Sequence, residues 1–218
     1  MGWLEFSAAF AVFFISHSLP VRPPLRPLMQ TALGPRGFTL SYFALSLAVL
    51  AWLIGAAGRA PFVPLWDWAP WQLYVPLLTM LPICMVLTLA IGRPNPFSFG
   101  GARNERFDPA RPGIVRLHRH PLLLALAMWA AAHAVPNGDL AHVILFGTFA
   151  AFAVLGMRLI DRRRQREMGP EWQSLHAASA RAPLWRVAKP SSRLAIGATL
   201  YAGLIWLHPL VIGVSPLP

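Results

Sequence analysis

The chain has 218 residues, 56% of them hydrophobic and only 12% charged, with a formal net charge of +11. Soluble domains carry about 25% charged residues, and the apolar residues here fall in blocks longer than a soluble core can bury. That excludes a water-soluble domain, a disordered chain and a nucleic-acid binder, which can be this basic but not this apolar. A single cysteine, Cys84, excludes a disulfide framework and any multi-cysteine metal cluster. The expected class is an all-α integral membrane protein.

A crossing helix needs roughly 20 mostly apolar residues. Six segments qualify, at about 2–19, 38–58, 70–91, 121–136, 140–160 and 194–213. The first opens Met1-Gly2-Trp3-Leu4-Glu5, with an acid where a signal peptide has Lys or Arg. No small-x-small cleavage site follows, so it reads as a retained span. It stops at Pro20, ahead of Arg22 and Arg26. His17 sits near that end in Phe13-Phe14-Ile15-Ser16-His17-Ser18. Aromatic neighbours suit a flat cofactor, and equally suit ordinary packing around a histidine that caps the helix end. Trp66, Trp68 and Trp71 cluster before the third span as an interfacial aromatic belt does.

The block Gly113-Ile114-Val115-Arg116-Leu117-His118-Arg119-His120-Pro121 opens the fourth span. Pro121 suits a first helical turn. Arg119 and His120 then stand at a helix N-terminus, where a cofactor carboxylate, a phosphate or a lipid headgroup fits. The plainer reading is charge that orients the chain. His133 lies four residues after Trp129 on one helix face, followed by the turn Pro136-Asn137-Gly138. Asp161, the only acid at the end of the fifth span, can pair with Arg119, Arg162 or Arg163. The run from Arg162 to Arg166 suits anionic lipid. His208 precedes Pro209 in the sixth span. His133 and His208 are either ligands or interfacial anchors. His142 reads as interfacial, and His176 falls in a loop.

Eighteen of the nineteen basic residues, Lys189 among them, fall in the segments after spans one, three and five; Arg59 alone falls elsewhere. Basic residues stay cytoplasmic, so a bundle of six transmembrane helices with both termini outside is expected. Ionisable residues inside spans are costly and are functional candidates by default. On this topology His17, His118 and His120 lie near the inner face, and His133, His142 and His208 near the outer face.

Five elements in order resemble the NnrU family of bacterial membrane proteins and the related domain of 15-cis-zeta-carotene isomerase, a heme-dependent enzyme. They are His17-Ser18 followed by Arg26; Gly113-Ile114-Val115-Arg116 leading into Arg119-His120-Pro121; Trp129 with His133; Asp161-Arg162-Arg163 followed by Gly169-Pro170-Glu171-Trp172; and His208-Pro209-Leu210. The resemblance runs from about Phe10 to Pro218 and implies a single NnrU-like transmembrane domain, 1–218, in the bacterial inner membrane. It also implies a link to nitrite and nitric oxide respiration, and heme b held by histidines at positions matching His17 and His133. The isomerase's switching cysteine matches Ala130 here, so that ligand switch does not carry over. Arg119-His120-Pro121 with a downstream acid is also similar to phospholipid and isoprenylcysteine methyltransferases, which bind S-adenosylmethionine there. This chain has Leu123 for their tyrosine and Asp161 for their glutamate.

The expected topology bears on the ligand set. From His120 to His133 a helix rises about 20 Å at 1.5 Å per residue. Two axial nitrogens on one iron lie only ~4 Å apart, at ~2 Å per bond. Histidines should therefore pair by face: His17 with His120 inside, near Arg26, Arg119 and Arg162 for the propionates, or His133 with His208 outside. The inner pair is favoured because the cations are there. The expected function is heme-linked redox or isomerase-like chemistry on a carotenoid or other apolar substrate. The alternatives are a non-catalytic subunit or assembly factor beside a respiratory enzyme, and a methyltransferase-like site at Arg119-His120. The expected surroundings are the bilayer and its anionic lipids at the cytoplasmic face, with no nucleic acid.

Overall fold

The computed structural model describes residues 2–187 and 192–218. Lys189, counted above for orientation, lies outside the described residues. The α-helices among them are α1 (Gly2–Ser18), α2 (Leu25–Arg59), α3 (Tyr74–Ala90), α4 (Pro121–Ala134), α5 (Leu140–Met168), α6 (Pro170–Arg181) and α7 (Ser192–Val211). No strand forms among the described residues beyond an isolated bridge between Pro64 and Asp139.

Four helical stretches are long and apolar enough to cross a membrane: Leu25–Arg59, Pro70–Ala90, Leu140–Met168 and Ser192–Val211. Their apolar side chains face outward, with Leu40 69%, Leu78 70% and Trp206 70% exposed. Water would penalise so much apolar surface, whereas lipid accepts it. The protein is thus an all-helical integral membrane protein. α1 and α4 are shorter at 17 and 14 residues, about 26 and 21 Å at 1.5 Å per residue.

The chain divides into two compact units. The first, Met1–Trp66 with Gly138–Leu145, packs α1 on α2. α2 starts well before the sequence-based boundary near 38. Gly34, at φ 71°, turns the chain inside it and Pro35 opens the longer segment. A side chain at that φ would be strained, which glycine avoids. At the other end of both helices, Glu5 accepts hydrogen bonds from Arg59 Nη2 at 2.6 Å and Trp52 Nε1 at 3.2 Å. The one basic residue outside the basic segments therefore has its own acid. Asp139 caps the start of α5 by accepting the His142 N–H at 3.2 Å, and its other oxygen lies 2.6 Å from His142 Nδ1. That role accounts for His142.

The second unit is Asp67–Asn137 with Phe146–Pro218, and in it α3 packs against α4 and α7. Gly197 brings α7 close to α3: a Cβ there would meet Thr88 Oγ1 at 2.9 Å and the Met85 Cα at 3.2 Å. Small residues at helix contacts in lipid allow this approach. Tyr201 Oη donates to the Leu77 carbonyl at 2.9 Å. Arg193 Nη1 donates to the Thr88 and Ile91 carbonyls at 2.7 and 2.9 Å. It thereby satisfies carbonyls that the end of α3 leaves open. Cys84 is fully buried in α3. Trp68 and Trp71 are exposed here, and Trp66 is exposed in the first unit.

Candidate functional site

The segment from Arg93 to His120 folds as a braced loop over the end of α3. Asn95, flanked by Pro94 and Pro96 and 4% exposed, is its main tie. Its backbone N–H donates to Asn104 Oδ1 at 2.9 Å, and its Oδ1 accepts the Phe97 N–H at 3.1 Å. Its Nδ2 donates to the Arg119 carbonyl at 3.0 Å. The turn Gly113–Arg116 then sends adjacent side chains into two different cores. Ile114 packs with Ala90 and Val187, and Val115 with Phe97 and Trp172. Arg116 Nε reaches the Ala182 carbonyl at 2.8 Å, tying the turn to the end of α6. Gly113-Ile114-Val115-Arg116 is therefore a packing device that aims the residues after it.

Those residues form one network. Arg119 grips Asp161 with two parallel bonds, Nε to Oδ1 at 2.7 Å and Nη2 to Oδ2 at 2.5 Å. This fork is the strong geometry for an arginine–carboxylate pair. His120, 1% exposed, places Nε2 2.9 Å from Asp161 Oδ1 and Nδ1 3.0 Å from Ser98 Oγ. A carboxylate only accepts, so Nε2 carries the proton and Nδ1 accepts the serine hydroxyl. Burial pushes the His120 pKa down, partly opposed by Asp161, and the Asp161 bond pushes Arg119 up. The network is a neutral imidazole beside a balanced ion pair. The Arg119 guanidinium also lies 5.7 Å over the Trp172 ring, which stacks on His176 at 5.0 Å. The buried Trp172 Nε1 finds no acceptor among the described residues.

Ser98, His120 and Asp161 have the residue types of a hydrolytic triad. Ser98 is only 2% exposed, and it bonds the imidazole nitrogen opposite the acid from inside the core. The trio's bonds tie the loop at Ser98 to the start of α4 and to α5. Both His120 nitrogens are engaged, and the Arg119 fork is committed to Asp161.

The other candidate histidines are bonded differently. His17 places Nδ1 2.8 Å from the Phe13 carbonyl, with Ser16 Oγ at 3.3 Å. Its ring stacks on Phe13 at 4.1 Å and meets Tyr42 edge-on at 6.1 Å. His133 places Nδ1 2.8 Å from the Trp129 carbonyl, among the Trp129 and Phe146 rings at 5.2 and 5.8 Å. His208 places Nδ1 2.7 Å from the Val214 carbonyl. A carbonyl only accepts, so each Nδ1 is the donor, and no bond to Nε2 is seen among the described residues. His133 and His208 both belong to the second unit.

The structure thus brings together Arg119, His120 and Asp161. Arg162 is exposed beside Leu159, Gln165 and Arg166 on α5, and Arg26 is exposed at the start of α2. Neither forms an ion pair among the described residues. No group of three or more His, Cys, Asp or Glu among the described residues could hold a bare metal ion. Sequence reasoning missed Asn95 and Ser98. The Pro-Asn-Pro run signals a fixed turn, but nothing marks Ser98.

Comparison with curated proteins and with solved structures gives no significant match. The model of the family described as NnrU protein matches residues 5–216. With nearly the whole chain covered, this membrane protein belongs to the NnrU family.

Proposed function

We propose that this protein binds heme b through its intramembrane histidines and uses it in redox or isomerase-like chemistry on an apolar substrate. The observation that supports this is the hydrogen-bond pattern of His17, His133 and His208. In each, Nδ1–H is held by a backbone carbonyl and Nε2 is left as a lone-pair donor. A histidine ligand needs this state, with the second nitrogen oriented by an acceptor. His120 does not offer it, because ligation would cost its bond to Asp161 or to Ser98. With His120 set aside, the candidates are His17 in the first unit and the pair His133 and His208 in the second; on the six-crossing topology His17 and His133 lie at opposite faces and are alternatives, not two ligands of one iron. Bound heme would supply a redox-active iron within the apolar phase. The chain's own part is to fix each imidazole tautomer and to surround the rings with Phe13, Tyr42, Trp129 and Phe146.

The same reading takes α1, α4 and the four longer apolar stretches as six crossings, with both termini outside the bacterial inner membrane. α6, which carries Glu171 and Arg181, stays at the basic face. A methyltransferase site at Arg119-His120 is the weaker reading, because His120 has no free nitrogen and almost no exposed surface.

The test is an optical spectrum of protein purified from heme-replete cells, with a pyridine hemochrome assay. A Soret band is expected, lost or shifted in H17A or H133A and kept in H120Q. Absence of both Soret band and hemochrome in the unaltered protein would end the proposal.

A further inference from the structure

The braced loop encloses a cavity of about 210 Å³ that the heme reading does not use. Its lining includes Arg93, Arg106 and Arg111, with Asp108 the single acid. Asp108 is already engaged: Oδ1 accepts the Ala110 N–H at 2.8 Å, and Oδ2 lies 4.0 Å from Arg111 Nε. Two positive charges are left without a partner in the lining. The inner wall is apolar, formed by Leu89, Ala90, Ile114 and Val115. All three arginines are exposed, while Ala90, Ile114 and Val115 are buried. The cavity therefore has a cationic mouth and an apolar floor.

The cavity is also preformed. Asn95 and Asn104 tie its two arms, Arg93 O accepts the Ala102 N–H at 3.1 Å, and Asn104 O accepts the Phe107 N–H at 3.1 Å. Its volume is below the roughly 300–1,000 Å³ that drug-sized ligands occupy, so heme and S-adenosylmethionine do not fit. It holds about seven water volumes at ~30 Å³ each, enough for a phosphate with a short organic stub. Arginine recognises phosphate oxygens through its planar fork.

We propose that the Arg93–Arg106–Arg111 cavity is a binding site for a phosphate ester, whether the headgroup of an anionic phospholipid or a small soluble phosphate. No part of this depends on heme. Each arginine near an anionic lipid surface contributes enough that its removal weakens binding about fivefold.

Native mass spectrometry of the full chain in detergent tests it, with phosphatidylglycerol and phosphatidylcholine as probes. Phosphatidylglycerol should be retained over phosphatidylcholine. The R93Q/R106Q/R111Q variant should lose that preference, and R22Q/R36Q, which lie outside the cavity and outside the Arg162–Arg166 run, should keep it. D108N, which removes the competing acid, should retain phosphatidylglycerol more strongly, so a folding failure in the triple variant does not decide the matter. If millimolar inorganic phosphate displaces the lipid, the site reads phosphate alone and the soluble source is favoured. If it does not, the lipid is the ligand. Equal retention of both lipids with no phosphate binding would overturn the proposal. So would a triple variant that behaves like R22Q/R36Q while D108N changes nothing.

Discussion

Asp161→Asn is the most informative single change. Asp161 accepts two bonds from Arg119 and one from His120. Its side chain is 15% exposed and that of Arg119 34%. An amide keeps the size and one acceptor oxygen, but it points an NH₂ at a nitrogen that needs an acceptor. At least one charge-assisted bond is lost, at about 1.5–3 kcal/mol. The Arg119 charge also loses its counterion in a partly buried place. Breaking a fully buried pair costs about 3–5 kcal/mol, and the one-third exposure of Arg119 lowers that share. The sum is about 2–4 kcal/mol, or roughly 5–15 °C in apparent Tm for a chain of this size. Thermal unfolding in detergent, followed by tryptophan fluorescence, measures it. A cycle with Arg119→Met isolates the pair, because removing the cation as well should recover part of the loss. A D161N protein within 1–2 °C of the original, or strict additivity in the cycle, would refute the network as a stabilising element.

Burial holds the His120 pKa below the usual imidazole value, so its contribution is present above about pH 6.5 and is lost as pH falls through the lower folded value. Apparent Tm should fall between pH 7.5 and 5, and H120Q should flatten part of that slope; an unchanged slope would mean that other groups, such as His118, carry it. Gly197→Ala should cost about 1–3 kcal/mol by overpacking, and Gly197→Leu should block α7 from docking on α3, read as loss of a monodisperse peak in size exclusion. A normal G197L peak would contradict the close approach to Met85 and Thr88. Reduced, heme-loaded H208A should differ from H133A in its spectrum if only one of these two rings ligates, and match it if both do.

The membrane class was legible from composition, because apolar block length and charge scarcity act along the chain and need no tertiary information. The helix at α2 was legible, but its start was not. Gly34-Pro35 reads as a break, yet helix resumes on both sides of it. The pairing of Asp161 with Arg119 was among the options the sequence left open, since complementary charges at two span ends are a local signal. The Ser98 bond to His120 was invisible. It joins residues 22 apart through a loop whose path depends on Asn95, and no periodicity encodes that path.

The histidines show where the sequence argument turned. Proximity to cations favoured His120 as a heme ligand, on the ground that carboxylates need arginines nearby. The same proximity gives His120 an acid partner, because Arg119 brings Asp161 with it. A histidine in a charged cluster tends to have its nitrogens occupied, whereas one in an apolar span has only backbone to bond. A helical imidazole can reach the carbonyl four residues back with Nδ1, as His17 and His133 do. That contact occupies Nδ1 alone. On the proposed heme reading, the apolar environment that makes His17 and His133 look like packing residues also leaves Nε2 available to iron. H17Q and H133Q separate the two roles, since glutamine keeps a polar group of similar reach but provides no imidazole nitrogen. If either glutamine variant keeps an unshifted heme spectrum, that position packs and does not ligate.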